Sequence, residues 1–432
     1  MFKASELLNN KKNRALIKWG LLGLLIRMLF MPFTMHSDIL FINYFPLFLS
    51  HHGVFDIYSY LKTHFADQIS TLGWFYYPPL TYFTFGFFQF IFRPLTPLFE
   101  AWMNGVGLLL TSGGGFTQHY TSIGTSQIYR NIFFMKLPYL FFDASAAILI
   151  LQFFDDWKES LSAFKLWVFN PVIIYVCYIF GQFDIMPAFF MLLCFYFVKK
   201  DSPRAAILSL GMGAAFKNFP FLFLLPLAVL LGKNNLERMK LVALGLLPYF
   251  ILLLPLYFSS GGFVKFALFP KVMGSKFDMR LGEKMIFAIA YIAIIINAFF
   301  KSGSPKRLQL SVDYYLIIFT FFYALFPPSF HYYMWITPAI VIAMVNNRNL
   351  TWLYFIQATS LFILKSKNKF LFFGLFAPVH PSFSGLPALK DYLDYVTRGG
   401  IRDIVNLAFL ISSIIMVYCL YKDIKNAKFK KA

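Results

Sequence analysis

Asp38 stands in the run Met35-His36-Ser37-Asp38, directly after an apolar segment. An ionisable group at the edge of an apolar run is costly to keep, which marks it as functional by default. A carboxylate so placed can act as general base, taking the proton of a hydroxyl while that oxygen attacks carbon. The same position also suits a helix cap or a solvated loop acid. Asp56, Tyr58, Tyr60 and Asp67 follow, leading into Trp74-Phe75-Tyr76-Tyr77-Pro78-Pro79-Leu80. Aromatic faces with carboxylates suit sugar rings, and an aromatic belt at a membrane interface has the same composition. Pro78 and Pro79 fix an extended approach to the next apolar segment. Further on, Gly181-Gln182-Phe183-Asp184 ends an apolar run in an amide and a carboxylate. Asp184 there either holds a substrate hydroxyl, pairs with Lys217, or caps the following helix. Lys217, Lys265, Lys271, Lys276, Arg280 and His331 are cations or potential cations near the ends of apolar segments. Prepositioned cations stabilise the charge that grows on an anionic leaving group. Lys265 and Lys276 read as surface lysines meeting lipid head groups. Lys217, inside a short apolar hairpin, and His331, at the end of a span, do not.

Several chemistries find no support. There is no phosphate-binding P-loop, dinucleotide fingerprint, zinc spacing or nucleophile elbow. Gly113-Gly114-Gly115 lacks the Lys-Ser/Thr that a phosphate cradle needs. Cys177, Cys194 and Cys419 all fall in apolar runs and form neither a metal-ligand spacing nor a disulfide framework. Neither metal nor cofactor is expected.

The elements that must hold these residues are set by composition. The 432 residues are 59% hydrophobic and 13% charged, where soluble domains carry roughly a quarter charged residues. Apolar runs long enough to cross a bilayer occur, for example, at 17–33, 241–258 and 401–421. The short alternating segments of a barrel are absent, so the expected class is an all-α integral membrane protein. The net charge of +20 would suggest nucleic acid in a soluble protein, but the basic residues lie in short loops and tails, so no nucleic-acid partner is expected. Lys3, Lys11, Lys12 and Arg14 precede the first span, and Lys422, Lys425, Lys428, Lys430 and Lys431 follow the last. The positive-inside rule then puts both termini in the cytoplasm. The first apolar segment has no small-residue cleavage site and reads as a retained span.

Hydropathy gives about fourteen spans, with the regions 97–130 and 350–400 the least defined. Extracytoplasmic loops are expected at 34–74, 259–284 and 365–400. Two spans flank the charged turn 155–159, and basic turns at 199–204 and 233–240 lie inside. The stretch between those two basic turns is short for two full spans, so it predicts a pair of broken helices meeting on the far side at Lys217 and Asn218. Lys365, Lys367 and Lys369 fall on the outer side, against the charge rule. No internal repeat is visible, which argues against a carrier built from inverted halves.

In order along the chain, Asp38, Tyr77-Pro78-Pro79-Leu80-Thr81, Asn170-Pro171, Gly181-Gln182-Phe183-Asp184, Lys217-Asn218-Phe219-Pro220, Phe269-Pro270-Lys271 with Gly274, and Phe330-His331 with Trp335 and Pro338 resemble the GT-C superfamily of membrane glycosyltransferases. The series is similar to the glucosyltransferases that extend lipid-linked oligosaccharides and to bacterial polyprenyl-phosphate-mannose mannosyltransferases. The resemblance implies a single polytopic domain over 1–432, a GT-C-like bundle of about 12–14 transmembrane helices. It also implies a long first extracytoplasmic loop with short interfacial helices. The implied activity is inverting transfer of a hexose, mannose or glucose, from a polyprenyl-phosphate donor to a lipid-linked glycan or glycolipid. Asp38 would be the base, Lys217, Arg280, His331 and Lys271 would surround the donor phosphate, and Tyr77, Gln182, Asp184 and Asp56 would contact sugar or acceptor. Many relatives carry two acids in the first loop, where this chain has His36-Ser37-Asp38, so no metal is expected. The expected location is the cell membrane, or the endoplasmic reticulum of a eukaryote, with the site facing away from the cytoplasm. The alternatives are a transporter or flippase of lipid-linked saccharides and a non-catalytic assembly partner.

Overall fold

A computed structural model describes residues 11–65, 77–112, 125–261, 281–326, 328–368, 371–397 and 400–426. Among these residues every regular element is a helix. In chain order the helices are α1 (Lys11–Phe30), α2 (Ser37–His52), α3 (Ile57–Phe65), α4 (Pro79–Phe92), α5 (Phe99–Ser112), α6 (Thr125–Ile150), α7 (Trp157–Val168), α8 (Ile185–Lys199), α9 (Pro203–Ala214), α10 (Phe221–Leu231), α11 (Asn235–Ser259), α12 (Leu281–Phe300), α13 (Arg307–Leu325), α14 (Thr337–Asn346), α15 (Asn349–Lys365), α16 (Leu389–Thr397) and α17 (Ile401–Asn426). A π-helical stretch, Ile174–Phe180, continues α7 through the short turn Pro171–Ile173, and a 3-10 helix, Phe330–Ile336, precedes α14.

Six of these stretches are long and apolar enough to cross a membrane: Gln127–Phe153, Trp157–Phe180, Asn235–Ser259, Leu281–Phe300, Arg307–Leu325 and Ile401–Lys425. The chain is therefore membrane-embedded and all-α in its described residues. Six is fewer than the number expected from hydropathy: several apolar segments are short helices, and the 20-residue α1, the expected first span, carries Arg14, Lys18 and Arg27. Ile185–Lys199 and Phe221–Leu231 are apolar but under full spanning length. The largest outward apolar faces are on α11, α12 and α17, where Phe258, Leu281, Ile289, Phe300, Ile404 and Ile414 are exposed, as lipid-facing helices require.

The region 34–74, where a long loop with short interfacial helices is expected, contains two helices among its described residues. Its residues 37–52 form a helix that packs on α4 with Ile39 to Phe48 buried. The polar residues that made the stretch look loop-like stand at its ends: His36 and Ser37 before the apolar run, Ser50, His51 and His52 after it. Helix α3 covers 57–65, and residues 66–76 lie outside the described structure. Only the start of the expected loop 259–284 is described. The expected loop 365–400 folds back on the bundle through short 3-10 turns and α16.

The helix pair between the two basic turns is broken as the sequence predicts. Helices α9 and α10 have 12 and 11 residues and are separated by the non-helical stretch 215–220, which contains Lys217 and Asn218. Thr81 Oγ1 donates to the Phe216 carbonyl at 2.9 Å, satisfying a backbone oxygen that the break releases. Close approach of α9 to α11 depends on glycine: a Cβ on Gly211 would stand 2.2 Å from the Gly245 carbonyl oxygen.

The bundle has two chemically distinct ends. At one, Lys199 donates to the Gln152 and Phe153 carbonyls and pairs with Asp155, Arg307 pairs with Asp201, and Arg238 donates to Ser302. These contacts gather four basic or charged turns. At the other end lie the turns 34–38, 181–184 and 215–220 and the 3-10 helix 330–336.

Candidate functional site

Each of the four segments reaches the second end from the basic one. Asp38 sits in the first turn of α2, whose N-cap is His36. Its Oδ2 accepts from Gln182 Nε2 at 2.6 Å, and its Oδ1 lies 3.0 Å from His36 Nδ1. The Asp38 side chain keeps 23% of its surface exposed, in a neighbourhood that is otherwise closed. Burial pushes the Asp38 carboxyl up, but the adjacent His36 and its hydrogen bond, His331, and the Gln182 amide outweigh it and hold the group below the usual carboxylate range. Asp38 is therefore ionised at neutral pH.

Gln182 and Asp184 are delivered by a sharp turn. The π-helical stretch ends at Gly181, whose φ of 92° lies in the left-handed region. A Cβ there would also meet Ile39 of α2 at 3.0 Å. Asp184 stands at the N-terminus of α8 but makes no side-chain cap bond. Its Oδ1 instead accepts from Lys217 Nζ at 2.8 Å and from Trp335 Nε1 at 2.6 Å. Of the uses open to Asp184 in the sequence, the pair with Lys217 is the one formed. Aromatic rings enclose that ammonium: Tyr332 at 4.9 Å, Phe183 at 5.0 Å, and Tyr77 and Trp335 at 5.9 Å from their centroids. Trp335 is fixed in turn by stacking on Phe219 at 4.2 Å. Gln182 Oε1 and Asp184 Oδ2 are buried acceptors without a protein donor among the described residues, so a hydroxyl or an ordered water is the natural complement.

His331 lies within electrostatic reach of Asp38, Asp184, Lys217 and His36. Burial lowers its imidazole to about 4 despite the pull of Asp184. At neutral pH it is a neutral hydrogen-bonding group, so Lys217 supplies the positive charge among the described residues here. Tyr77 joins the site through its ring, 4.8 Å edge-to-face from Phe183, and its carbonyl accepts from the Tyr58 hydroxyl. Asp56 serves α3 instead: its oxygens accept from the Ser59 N–H at 3.0 Å and the Ser59 hydroxyl at 2.6 Å. Lys271 and Arg280 lie outside the described residues, as do Asp67, Lys265, Lys276 and the Gly113–115 run. Among the described residues no three His, Cys, Asp or Glu side chains converge as metal ligands.

A second buried polar group supports the site from below, and sequence reasoning missed it. Arg27 Nε pairs with Asp143 Oδ2 at 2.6 Å, and Asp143 also accepts from Trp167 Nε1 at 2.7 Å and the Tyr178 hydroxyl at 2.7 Å. Lys136, fully buried, donates to the carbonyls of Thr34 and Tyr178. Tyr139 donates to the Gly181 carbonyl at 3.0 Å. Lys136, Tyr139 and Asp143 recur at helical spacing on one face of α6, and that face grips the stretch 174–181 and the chain leading to Asp38. Ionisable residues inside apolar runs were the available signal. The expected loop 365–400 touches the same place: the Met35 N–H donates to the Leu375 carbonyl at 2.9 Å.

No protein family, no curated protein and no solved structure matches this chain. What the site can do rests on its own geometry. It offers an ionised carboxylate and an ammonium boxed by aromatic rings, both within reach of His331, with buried acceptors that lack donors among the described residues, at one end of a membrane bundle.

Proposed function

We propose that this chain is an inverting glycosyltransferase of the GT-C type, moving a hexose from a polyprenyl-phosphate carrier to an extracytoplasmic acceptor such as a lipid-linked glycan or glycolipid. The observation that carries the reading is Asp38: ionised, partly exposed, and oriented by Gln182 and His36, with the Asp184–Lys217 pair two residues on from Gln182. In this reaction the acceptor hydroxyl attacks the anomeric carbon while Asp38 takes its proton. The bond to the carrier phosphate breaks and leaves a more negative phosphate. Lys217 would meet that charge, and His331 would offer a neutral N–H. The aromatic rings around Lys217 suit the apolar faces of a sugar, and the unpaired oxygens of Gln182 and Asp184 suit its hydroxyls.

A transporter of lipid-linked saccharides would also carry ionisable groups at membrane depth, and Arg27, Lys136 and Asp143 are such groups. They are, however, closed from solvent and bonded to one another or to the main chain. That arrangement supports holding a fold together rather than moving a substrate. The test is incubation of purified protein with a panel of polyprenyl-phosphate sugars and an acceptor extract. Release of the free carrier with one donor is expected; a protein that consumes none of them contradicts the reading.

A further inference from the structure

His36 only orients Asp38 in the reaction as described so far, yet its ring is closely held. It stacks on Phe180 with centroids 4.3 Å apart and planes at 16°. Phe180 stacks in turn on His331, at 5.6 Å and 19°. The His36 backbone N–H donates to the Phe180 carbonyl at 3.0 Å, fixing the ring from the main-chain side as well. So held, Nδ1 faces two atoms of one residue: the Asp38 backbone nitrogen at 3.2 Å and Asp38 Oδ1 at 3.0 Å. One nitrogen cannot serve both at once. Without a proton, Nδ1 has a lone pair and accepts from the Asp38 N–H, capping α2. With a proton, it donates to the carboxylate in a charge-assisted bond. A single proton separates the two states, and the partners for both are already in place.

We infer that His36 is a positioning residue that receives, from Asp38, the proton abstracted during transfer. The inference rests on the proposed role of Asp38 as base. The balance is complete within the named groups. A lone pair of the acceptor oxygen forms the new bond to the anomeric carbon, and the carbon–oxygen bond to the phosphate breaks with its electron pair leaving on the phosphate. The hydroxyl proton passes to Asp38 and from Oδ1 to His36 Nδ1, which restores the carboxylate and leaves an imidazolium. The imidazolium then loses a proton to solvent, to which the His36 side chain is 13% exposed.

The dyad is not electrostatically alone. Gln182 and His331 act on Asp38, His331 is in turn within reach of His36, Asp184 and Lys217, and the phenols of Tyr77, Tyr139 and Tyr332 lie within reach of Asp38. Among these, His36 is the largest influence drawing the Asp38 carboxyl down against burial. Removing the ring while keeping the cap therefore lets Asp38 rise, so a higher pH is needed to ionise it.

The substitution His36→Asn separates the two jobs, since an asparagine oxygen caps a helix well but carries no exchangeable charge. In lipid nanodiscs, His36→Asn is expected to keep the wild-type melting temperature and to lose about tenfold or more in turnover. Its acid limb should move upward. A second readout needs no turnover. Infrared difference spectra, with the Asp38 carboxyl band identified by its loss in Asp38→Asn, should show that carboxyl protonating at higher pH in His36→Asn than in wild type. An unmoved Asp38 titration overturns the inference whether or not the protein transfers sugar. A moved titration with no donor consumed leaves the dyad standing and removes the glycosyltransferase reading.

Discussion

The site's two carboxylates lie in the same neighbourhood but have different tasks, set by what surrounds each. Asp38 is partly open and held by an amide and an imidazole. Asp184 is fully buried, and one of its oxygens takes both Lys217 and Trp335. Truncating Lys217 to Met leaves a buried carboxylate without its counter-ion, which costs about 3–5 kcal/mol. The double variant Lys217→Met, Asp184→Leu should recover much of that loss, because a buried pair replaced by apolar groups is close to neutral. Thermal unfolding of the single and double variants measures it, and simple additivity would contradict the pairing. His331 gives a pH signature. Its folded pKa is lowered to about 4, below an unfolded value of about 6.5. Over that window the unfolded chain binds a proton that the native chain refuses, so stability falls as pH drops through it. His331→Gln should flatten the melting temperature between those pH values; an unchanged slope would place the pH dependence elsewhere. Asp38 was legible in the sequence because it ends an apolar run. Its His36 partner was visible as a neighbour but not as a nitrogen aimed at two atoms, which depends on the Phe180 stack from distant chain.

At the scale of elements, the site is made where helices stop. The π-helical stretch turns at Gly181, α9 and α10 break around Lys217, and a 3-10 helix brings His331 and Trp335. Gly181→Ala combines a left-handed φ with a Cβ at 3.0 Å from Ile39, so it should cost about 1–2 kcal/mol and loosen the Gln182–Asp38 bond. Turnover should fall more than stability does; an active, unshifted variant would show that the turn is not what sets the site. Gly211→Ala meets a backbone oxygen rather than a side chain, and should lower the melting temperature by forcing α9 and α11 apart. The broken helix pair was readable because too few residues separated two basic turns. The packing of α2 on α4 was not, since its polar ends disguised a buried apolar middle of what was expected only as a short interfacial helix, and hydropathy reports lipid and protein interior alike. The α6 stripe of Lys136, Tyr139 and Asp143 was hidden for a related reason: its partners are main-chain carbonyls and distant side chains, which no local pattern marks.

For the whole molecule, the separation of a basic end from the site end converts loop charge into an orientation. The basic turns at 199–204, 232–238 and 301–307 should face the cytoplasm, and the site should face away from it. With the native cysteines replaced, Lys233→Cys should react with an impermeant reagent only from the cytoplasmic side, and Val379→Cys, on the segment packed near Met35, only from the other. Labelling of both from one side would contradict the orientation. The claim on which the rest depends is that Asp38 is the base of a sugar transfer, and the most direct measurement is turnover of Asp38→Asn in nanodiscs with the donor that wild type uses. Asn keeps the shape and a hydrogen bond to the neighbouring groups but cannot take a proton, so turnover should fall by about 10²–10⁴-fold while melting temperature and donor binding hold. Turnover close to wild type in that variant would contradict the account.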